Sequence, residues 1–474
     1  MVKAKKMTLD QYNQRYSDVM ALRCWIYLQL GIQFGTIPYV TSPLQTISDL
    51  NNPANFTSMT LTQLLPLLLK TVQNLPYLTD YVLAPNSTLP ALISGYSTTK
   101  MFINKYCLLG DLYLWNGQYT NAATTYRIIM EYGTNNFTNA SASYYNYYKI
   151  PNTGNGSAGN LTVHYGPSGG AAAYNNNLSA LADNNSDGWR SIFARSLQDV
   201  DFNQEWLWVL PFDGSIQPRS PLLDMFSDVN GSWLVQPSQL AISNWNSQVQ
   251  SNNFPFDARG LFTWRNIAGK PVIMKYLYNY VDATTFQPIS LTANSGQDQS
   301  KWFLYRAANL HLHFAEAANR DGRHKLAYAL INQGILTTYS DSTSTVNNTN
   351  TEQTHDVPPY DFDGRQGTPI QHMPWYRNAG IRGRAFLKHD SIPAGTTDST
   401  LAVEDEVISE SALELAYEGN RWADLVRVAL RRNDPSYLAN RIYNKLVAEG
   451  NGQAAAVQAK LMNQANWFLP FKLQ

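Results

Sequence analysis

Three places in this chain carry side chains of a kind that does chemistry, and their spacing decides how far each can be read. Gly166-Pro-Ser-Gly-Gly170 has the G-x-S-x-G pattern of a nucleophile elbow, which lifts a serine onto a strained turn between a strand and a helix. Leu161-Thr-Val-His-Tyr165 suits the strand, but Ala171 to Asn177 is a weak helix former, and Gly and Ser are common in polar loops. His311 and His313 stand two apart on a helical pattern and so point to different faces, whereas a helical zinc pair needs a spacing of four. They read as packing or interface residues. Tyr360-Asp-Phe-Asp-Gly364 sets Asp361 and Asp363 beside a glycine, an echo of a calcium loop without its remaining ligands. An Asp-rich turn is the default there. A glycosidase would need two carboxylates about 5 to 10 Å apart across a cleft, and the aromatic-rich loops contain few acids. That scarcity disfavours hydrolysis.

Binding has better material. Aromatics make up 12% of the chain, with 29 Tyr and 12 Trp, more flat amphipathic side chains than a helical core alone calls for. Such rings exclude water from the C–H faces of a sugar, while amides, carboxylates and guanidiniums hydrogen-bond its hydroxyls. Polar loops combine the two at Tyr144 and Tyr145, at Trp189 with Arg190, at Trp233, at Trp245, and at Trp375, Tyr376 and Arg377. For each, the competing reading is a buried ring that anchors its loop. Gly, Pro or Arg neighbours favour exposure at Trp189, Trp375 and Tyr376.

Composition removes other classes. Charged residues are 15% and the net charge is zero, so the cationic excess that binds nucleic acid is missing. Cys24 and Cys107 fall in helical patterns as small apolar residues, without the C-x-x-C spacing of a metal site. The longest apolar helix, from Val19 to Phe34, is interrupted by Arg23, Gln29 and Gln33 and is no membrane span.

The elements that must position these residues are mainly helical. Val19, Leu22, Ile26, Leu30 and Phe34 share one face of a helix ending at Gly35, and a second helix runs from Thr60 to Leu75. Residues 101–132 form a helix pair broken at Asn116-Gly117, with small Ala122 and Ala123 on the returning helix, as in a tetratricopeptide repeat. Trp302 to Leu336 forms another pair, broken at Asp321-Gly322, and Ile408 to Arg427 a third around Gly419. In the last, Leu413, Tyr417, Leu425 and Val428 supply apolar stripes, and Glu414, Glu418, Arg421 and Asp424 are close enough to pair across the turn as half-exposed ion pairs. Trp206 to Leu210 and Pro271 to Tyr276 are short strand candidates. Long loops rich in Asn, Ser, Thr, Gly and Tyr fill the intervals. The fold class is therefore mainly α, a tetratricopeptide-like helical-repeat scaffold at about 10–134, 301–337 and 403–465, with long irregular loops at about 135–300 and 338–402 and a few short strands.

The run from Ile408 to Arg427, with Glu414, Glu418, Gly419, Arg421, Trp422 and Asp424, resembles the C-terminal signature of the SusD/RagB family, and Ala21 to Val40, Leu108 to Tyr132 and Lys301 to Gly322 are also similar to it. Glu410-Ser411 and the closing Trp-Phe-Leu-Pro-Phe-Lys-Leu-Gln depart from its usual pattern. The resemblance implies one intertwined SusD-like domain over 1–474, N-terminally incomplete, because family members begin with a signal peptide, a lipid-accepting Cys and a further helical segment. It implies a binding protein and not an enzyme, lipid-anchored on the extracellular face of the outer membrane of Bacteroidetes. Such a protein serves polysaccharide utilization and nutrient uptake by capturing oligo- or polysaccharide and handing it to a SusC-like TonB-dependent transporter. Some members hold calcium near the ligand, which leaves calcium open at Asp361 and Asp363; no other cofactor is implied. The alternatives are a peptide-binding RagB-like uptake protein and a helical-repeat adaptor that binds only protein.

Overall fold

Thr8, Thr60, Asn104, Ser238, Asp257, Asp398 and Asp434 each stand just ahead of a helix and accept hydrogen bonds from its first N–H groups. Caps of this kind fix where the helices begin. The computed structural model describes residues 2–78, 87–130, 189–194, 197, 205–213, 218, 220–228, 231–251, 253–278, 280, 299–339, 356–361, 380–392 and 396–470. The chain packs into two compact units, each assembled from stretches distant in sequence. Among the described residues no helix is long and apolar enough to cross a membrane.

The first unit comprises Met1–Leu89, Ile103–Thr125 and Trp422–Gln474. Its opening helix, Leu9–Phe34, ends at Gly35, whose φ of +70° a side chain would resist. Thr36–Pro38 then pairs antiparallel with Ser58–Thr60, which leads into the Leu61–Gln73 helix. The opening helix packs against Leu61–Gln73 and Lys105–Trp115, while Pro435–Ala448 packs on Ala454–Leu461. Cys24 and Cys107 are free and buried. One expectation reverses here. The stripe of Val19, Leu22, Ile26 and Leu30 faces out, with Val19 65% and Ile26 44% exposed, and the buried face carries Ser17, Ala21, Cys24, Leu28, Gly31 and Ile32. Small residues let the helices approach closely: a Cβ on Gly31 would lie 2.9 Å from Leu61 Cδ1. The same face buries Asp18, which pairs with Lys105.

The second unit comprises Pro90–Phe102 and Tyr126–Arg421. Strand Trp206–Asp213 pairs antiparallel with Gln299–Arg306, Trp206 opposite Arg306. Residues 302–306, expected to open a helix, are thus strand, as the aromatic run Trp302, Phe303, Tyr305 suits a pleated sheet. The helix starts at Ala307, runs to Arg320 and packs against His324–Ile331 and Ser399–Glu414. In the C-terminal signature the leading helix closes at Glu414, and Gly419, with φ of +90°, sits just before the next helix, Arg421–Arg432.

A buried set of charges joins these pieces. Arg306 bonds Glu205 (2.6 Å), Glu414 (2.9 Å) and Glu418 (2.7 Å). Glu414 also receives Arg259 (2.8 Å) and Arg384, and Arg384 reaches Glu205 (3.1 Å). Arg259 pairs with Asp257 and Glu410, Lys275 with Glu418, all at 2.7 Å, and Arg382 with Glu410 at 3.1 Å. Five carboxylates (205, 257, 410, 414, 418) thus face five cations (259, 275, 306, 382, 384), none more than 4% exposed at the side chain. The pairs are buried and long-range, where the sequence suggested half-exposed pairing across one turn. Burial opposes ionisation of Glu414 most strongly, but Arg384, Arg306 and Arg259 together outweigh it and hold the carboxyl well below its ordinary range.

Two outcomes follow. Replacing a buried pair by apolar groups can be neutral, but removing one partner strands the others, so Arg306→Met should lower the unfolding free energy in urea by about 3 to 5 kcal/mol. Breaking the exposed Lys445–Glu449 pair with Lys445→Ala should change it by less than about 1 kcal/mol. Beside the network, burial and then the Asp390 charge push the Glu406 carboxyl up to about 8 from an ordinary 4.5. The folded chain keeps a proton there that the unfolded chain has released, so this group's contribution to stability declines as pH rises from about 4.5 to about 8. Glu406→Gln, which cannot ionise, should gain on the parent protein between pH 5 and 8 in urea titrations. A constant difference would contradict the assignment.

Candidate ligand-binding surface

Among the sequence candidates, Trp233 is the described ring that stays half-exposed, and its surroundings explain how it is held. After the short helix Leu222–Phe226 the chain doubles back along it. Ser232 N–H donates to the Asp224 carbonyl (2.9 Å), Trp233 N–H to Ser227 (3.1 Å) and Val235 N–H to Met225 (2.9 Å). Gly231 makes the return fit, because a Cβ there would lie 2.2 Å from Leu223 O and 2.6 Å from Ser227 O. Pulled this tight, Trp233 takes φ of +48°, a left-handed conformation that costs a bulky residue about 1 to 3 kcal/mol and persists only where its surroundings enforce it.

A hairpin completes the seat. Trp264–Ile267 pairs with Lys270–Ile273 through Ala268 (φ +51°) and Gly269 (φ +86°), both left-handed as a tight two-residue hairpin turn requires. The indole N–H of Trp233 donates to the Pro271 carbonyl (3.2 Å), and the Lys270 ammonium stands 5.1 Å from the ring centre. Lys270 also pairs with Asp228 (3.0 Å), while the Ser232 hydroxyl donates to Asp224 (2.5 Å). The result is an aromatic ring of fixed orientation with an ammonium beside it, that ammonium paired with Asp228, on a segment that also carries the Ser232–Asp224 pair. Leu234 beside it is 66% exposed. This arrangement can hold a polyol.

Other candidates sit elsewhere. Trp189 and Trp245 are each 1% exposed, and Arg190 is equally buried. These three are corrected from ligand contacts to core. Trp189 opens the helix Trp189–Ala194 and lies beneath the network, with the guanidinium carbons of Arg306 and Arg384 5.5 and 5.6 Å from its ring centre. Trp245 packs on Gly260 so closely that a Cβ there would lie 2.8 Å from it, and Arg190 stacks 4.4 Å from the Tyr278 ring centre. Buried groups of this kind cannot meet a ligand from solution.

Trp375, Tyr376, Arg377, Tyr144, Tyr145, Asp363 and the Gly166–Gly170 motif lie outside the described residues. Asp361 pairs with Arg127. Among the described residues no group of three or more His, Cys, Asp or Glu side chains is placed to hold a metal. His311 and His313 are buried and point to different partners, the Leu330 carbonyl (2.6 Å) and the Tyr305 hydroxyl (3.0 Å). Burial lowers the His311 pKa to about 3.

Within the signature, Glu414 and Glu418 belong to the charge network, and a Cβ on Gly419 would touch Trp302 at 3.7 Å. Arg421 donates to the Ile408 carbonyl (2.8 Å). Trp422 is half-buried, and Asp424 pairs with Arg427 (2.7 Å), which stands over Trp115. The residues that sequence reasoning missed are the remote partners Glu205, Asp257, Arg259, Lys275, Arg306, Arg382 and Arg384. Their signal is a charge enclosed by apolar neighbours, as in Tyr305-Arg-Ala-Ala308, in a chain that carries few charges.

Residues 370–474 match the model of the SusD family. No curated protein matches the chain. Among solved structures, a SusD superfamily protein from Bacteroides vulgatus superposes with a TM-score of 0.54 at 13% identity, covering 95% of this chain and 74% of that one. A SusD-like protein from Bacteroides fragilis gives 0.51 at 12%, covering 90% and 71%. A SusD-like carbohydrate binding protein from the same species gives 0.50 at 13%, covering 89% and 68%. The protein thus has a mainly helical, SusD-like fold. The family match is confined to residues 370–474, and the solved structures show the fold.

Gly231→Ala tests the seat. It should cost about 1 to 3 kcal/mol of stability in urea, the range for overpacking, because the methyl meets backbone and not a movable side chain.

Proposed function

We propose that this protein captures an oligo- or polysaccharide at the outer face of the outer membrane, without chemistry, and passes it to a SusC-like TonB-dependent transporter. The observation that carries the reading is Trp233: an indole fixed by its own N–H bond to Pro271, with the Lys270 ammonium, itself paired with Asp228, 5.1 Å from the ring centre. Its face excludes water from sugar C–H groups, and the charged groups around it pair with hydroxyls. A relative of like fold described as carbohydrate binding supports the ligand class. Attachment through an N-terminal lipid belongs to the same reading, and capture requires no cofactor.

The exposed apolar stripe of the Leu9–Phe34 helix supports a protein partner, since apolar side chains grouped on one face mark interaction surfaces. The same stripe is what a helical-repeat adaptor would present, and the ligand experiment separates the two.

Calorimetry against a panel of plant, fungal, microbial and host glycans, with a peptide pool alongside, tests the proposal. A glycan should bind without release of product, and Trp233→Ala should weaken it by about 2 kcal/mol or more, roughly thirtyfold. Trp189→Ala should instead lower the melting temperature. Binding of peptides alone, or glycan binding indifferent to Trp233, would overturn the reading.

A further inference from the structure

Within the first unit lies a cleft of about 720 Å³, in the size range of small-molecule sites. Its apolar floor is Phe34, Leu61, Leu430 and Phe468. Phe468 is the principal ring. It lies flat on Gly35, where a Cβ would come within 2.5 Å of its Cγ and Cδ2, and its backbone is pinned on both sides: Leu469 N–H donates to the Gln33 carbonyl (2.8 Å) and the Trp467 indole N–H to Leu461 (2.7 Å). Gly35 thus serves a second purpose beyond ending its helix, admitting a ring to the wall of the cleft.

The rim is polar. Thr36, Thr62, Gln464 and Lys460 stand there, all exposed, and among the described lining residues no carboxylate occurs. Hydroxyls and amides both donate and accept, which matches the hydroxyls of an uncharged sugar. A peptide would bind most readily by adding a strand to the neighbouring two-stranded sheet. Tyr39 N–H to Thr57 and Leu61 N–H to Gly35 are the inward bonds of that ladder, so Thr36 and Pro38 face its outer edge. Pro38 has no N–H to offer, and the edge ends after one residue.

We infer that this cleft is a second binding site of the protein, for a short neutral oligosaccharide that stacks on Phe468 and is oriented by Thr62 and Gln464. It is built from different elements than the Trp233 surface and stands apart from that reading.

Hydrogen-exchange mass spectrometry with malto-, cello-, laminari-, manno- and xylohexaose, and with a hexapeptide pool, tests it on the full chain. At least one hexaose should slow exchange in residues 33–36 and 464–469 together, both in the parent protein and in Trp233→Ala. Thr62→Val/Gln464→Ala, which alters only exposed side chains, should weaken that protection about tenfold in ligand concentration, and Phe468→Ala should remove it while the melting curve confirms a folded chain. The inference fails if no hexaose protects both segments, if the rim variant leaves the protection unchanged, or if only the peptide pool protects them. Exchange in residues 231–235 reports the Trp233 surface separately, so failure of one reading is distinguishable from failure of the other.

Discussion

Arg306 closes a strand in the interior of the second unit, and three carboxylates from remote segments converge on it: Glu205, Glu414 and Glu418. A guanidinium stripped of water is tolerable only when its donors are met in plane and its charge is balanced. Each neighbouring cation is under the same constraint, so the segments bearing Asp257 and Arg259, Lys275, Arg382 and Arg384, and Glu410 have one arrangement that satisfies all of them. Free energy gained per pair is modest after desolvation, and the larger effect is on which arrangement is allowed. The network therefore acts as a registration device for the segments of the second unit that bear these charges.

That device determines what the aromatic side chains can do. Trp189 and Phe193 pack against the cations, so rings that resemble ligand platforms in sequence are committed to the interior. Trp233 escapes because its segment is held from the other side, by backbone hydrogen bonds to the Leu222–Phe226 helix and by the Lys270–Ile273 strand. A ring kept in a left-handed backbone conformation pays its ordering cost on folding and not on binding, which is what preorganisation means for a site that works through weak stacking and hydroxyl contacts.

Much of this was legible in the sequence. The helix pair broken at Asn116-Gly117, the breaks at Gly322 and around Gly419, and the strand at Trp206 follow from turn residues and short-range periodicity, which local chemistry governs, and the strand expected at Pro271 to Tyr276 forms over Lys270–Ile273. The failures share one cause, contact with residues far away in sequence. In the Leu9–Phe34 helix the large apolar residues suggested the core face, but close packing on Leu61 selected the small ones and buried Asp18 against Lys105. Residues 302–306 became strand because Trp206–Asp213 pairs with them. Trp189 and Arg190 stand beside polar neighbours that suggest a turn, yet both are drawn inside. Gly231 was a usable signal for Trp233, since a glycine admits close backbone approach, here to the Leu223 and Ser227 carbonyls.

A crystal structure of the protein with its tightest-binding saccharide tests the central claim most directly. A pyranose ring should stack on the Trp233 indole, with hydroxyls within hydrogen-bond reach of Asp228 or Lys270, an intact glycosidic bond, and the backbone from Gly231 to Val235 unmoved. A saccharide seated away from Trp233, or a 231–235 segment that rearranges to receive it, would contradict it.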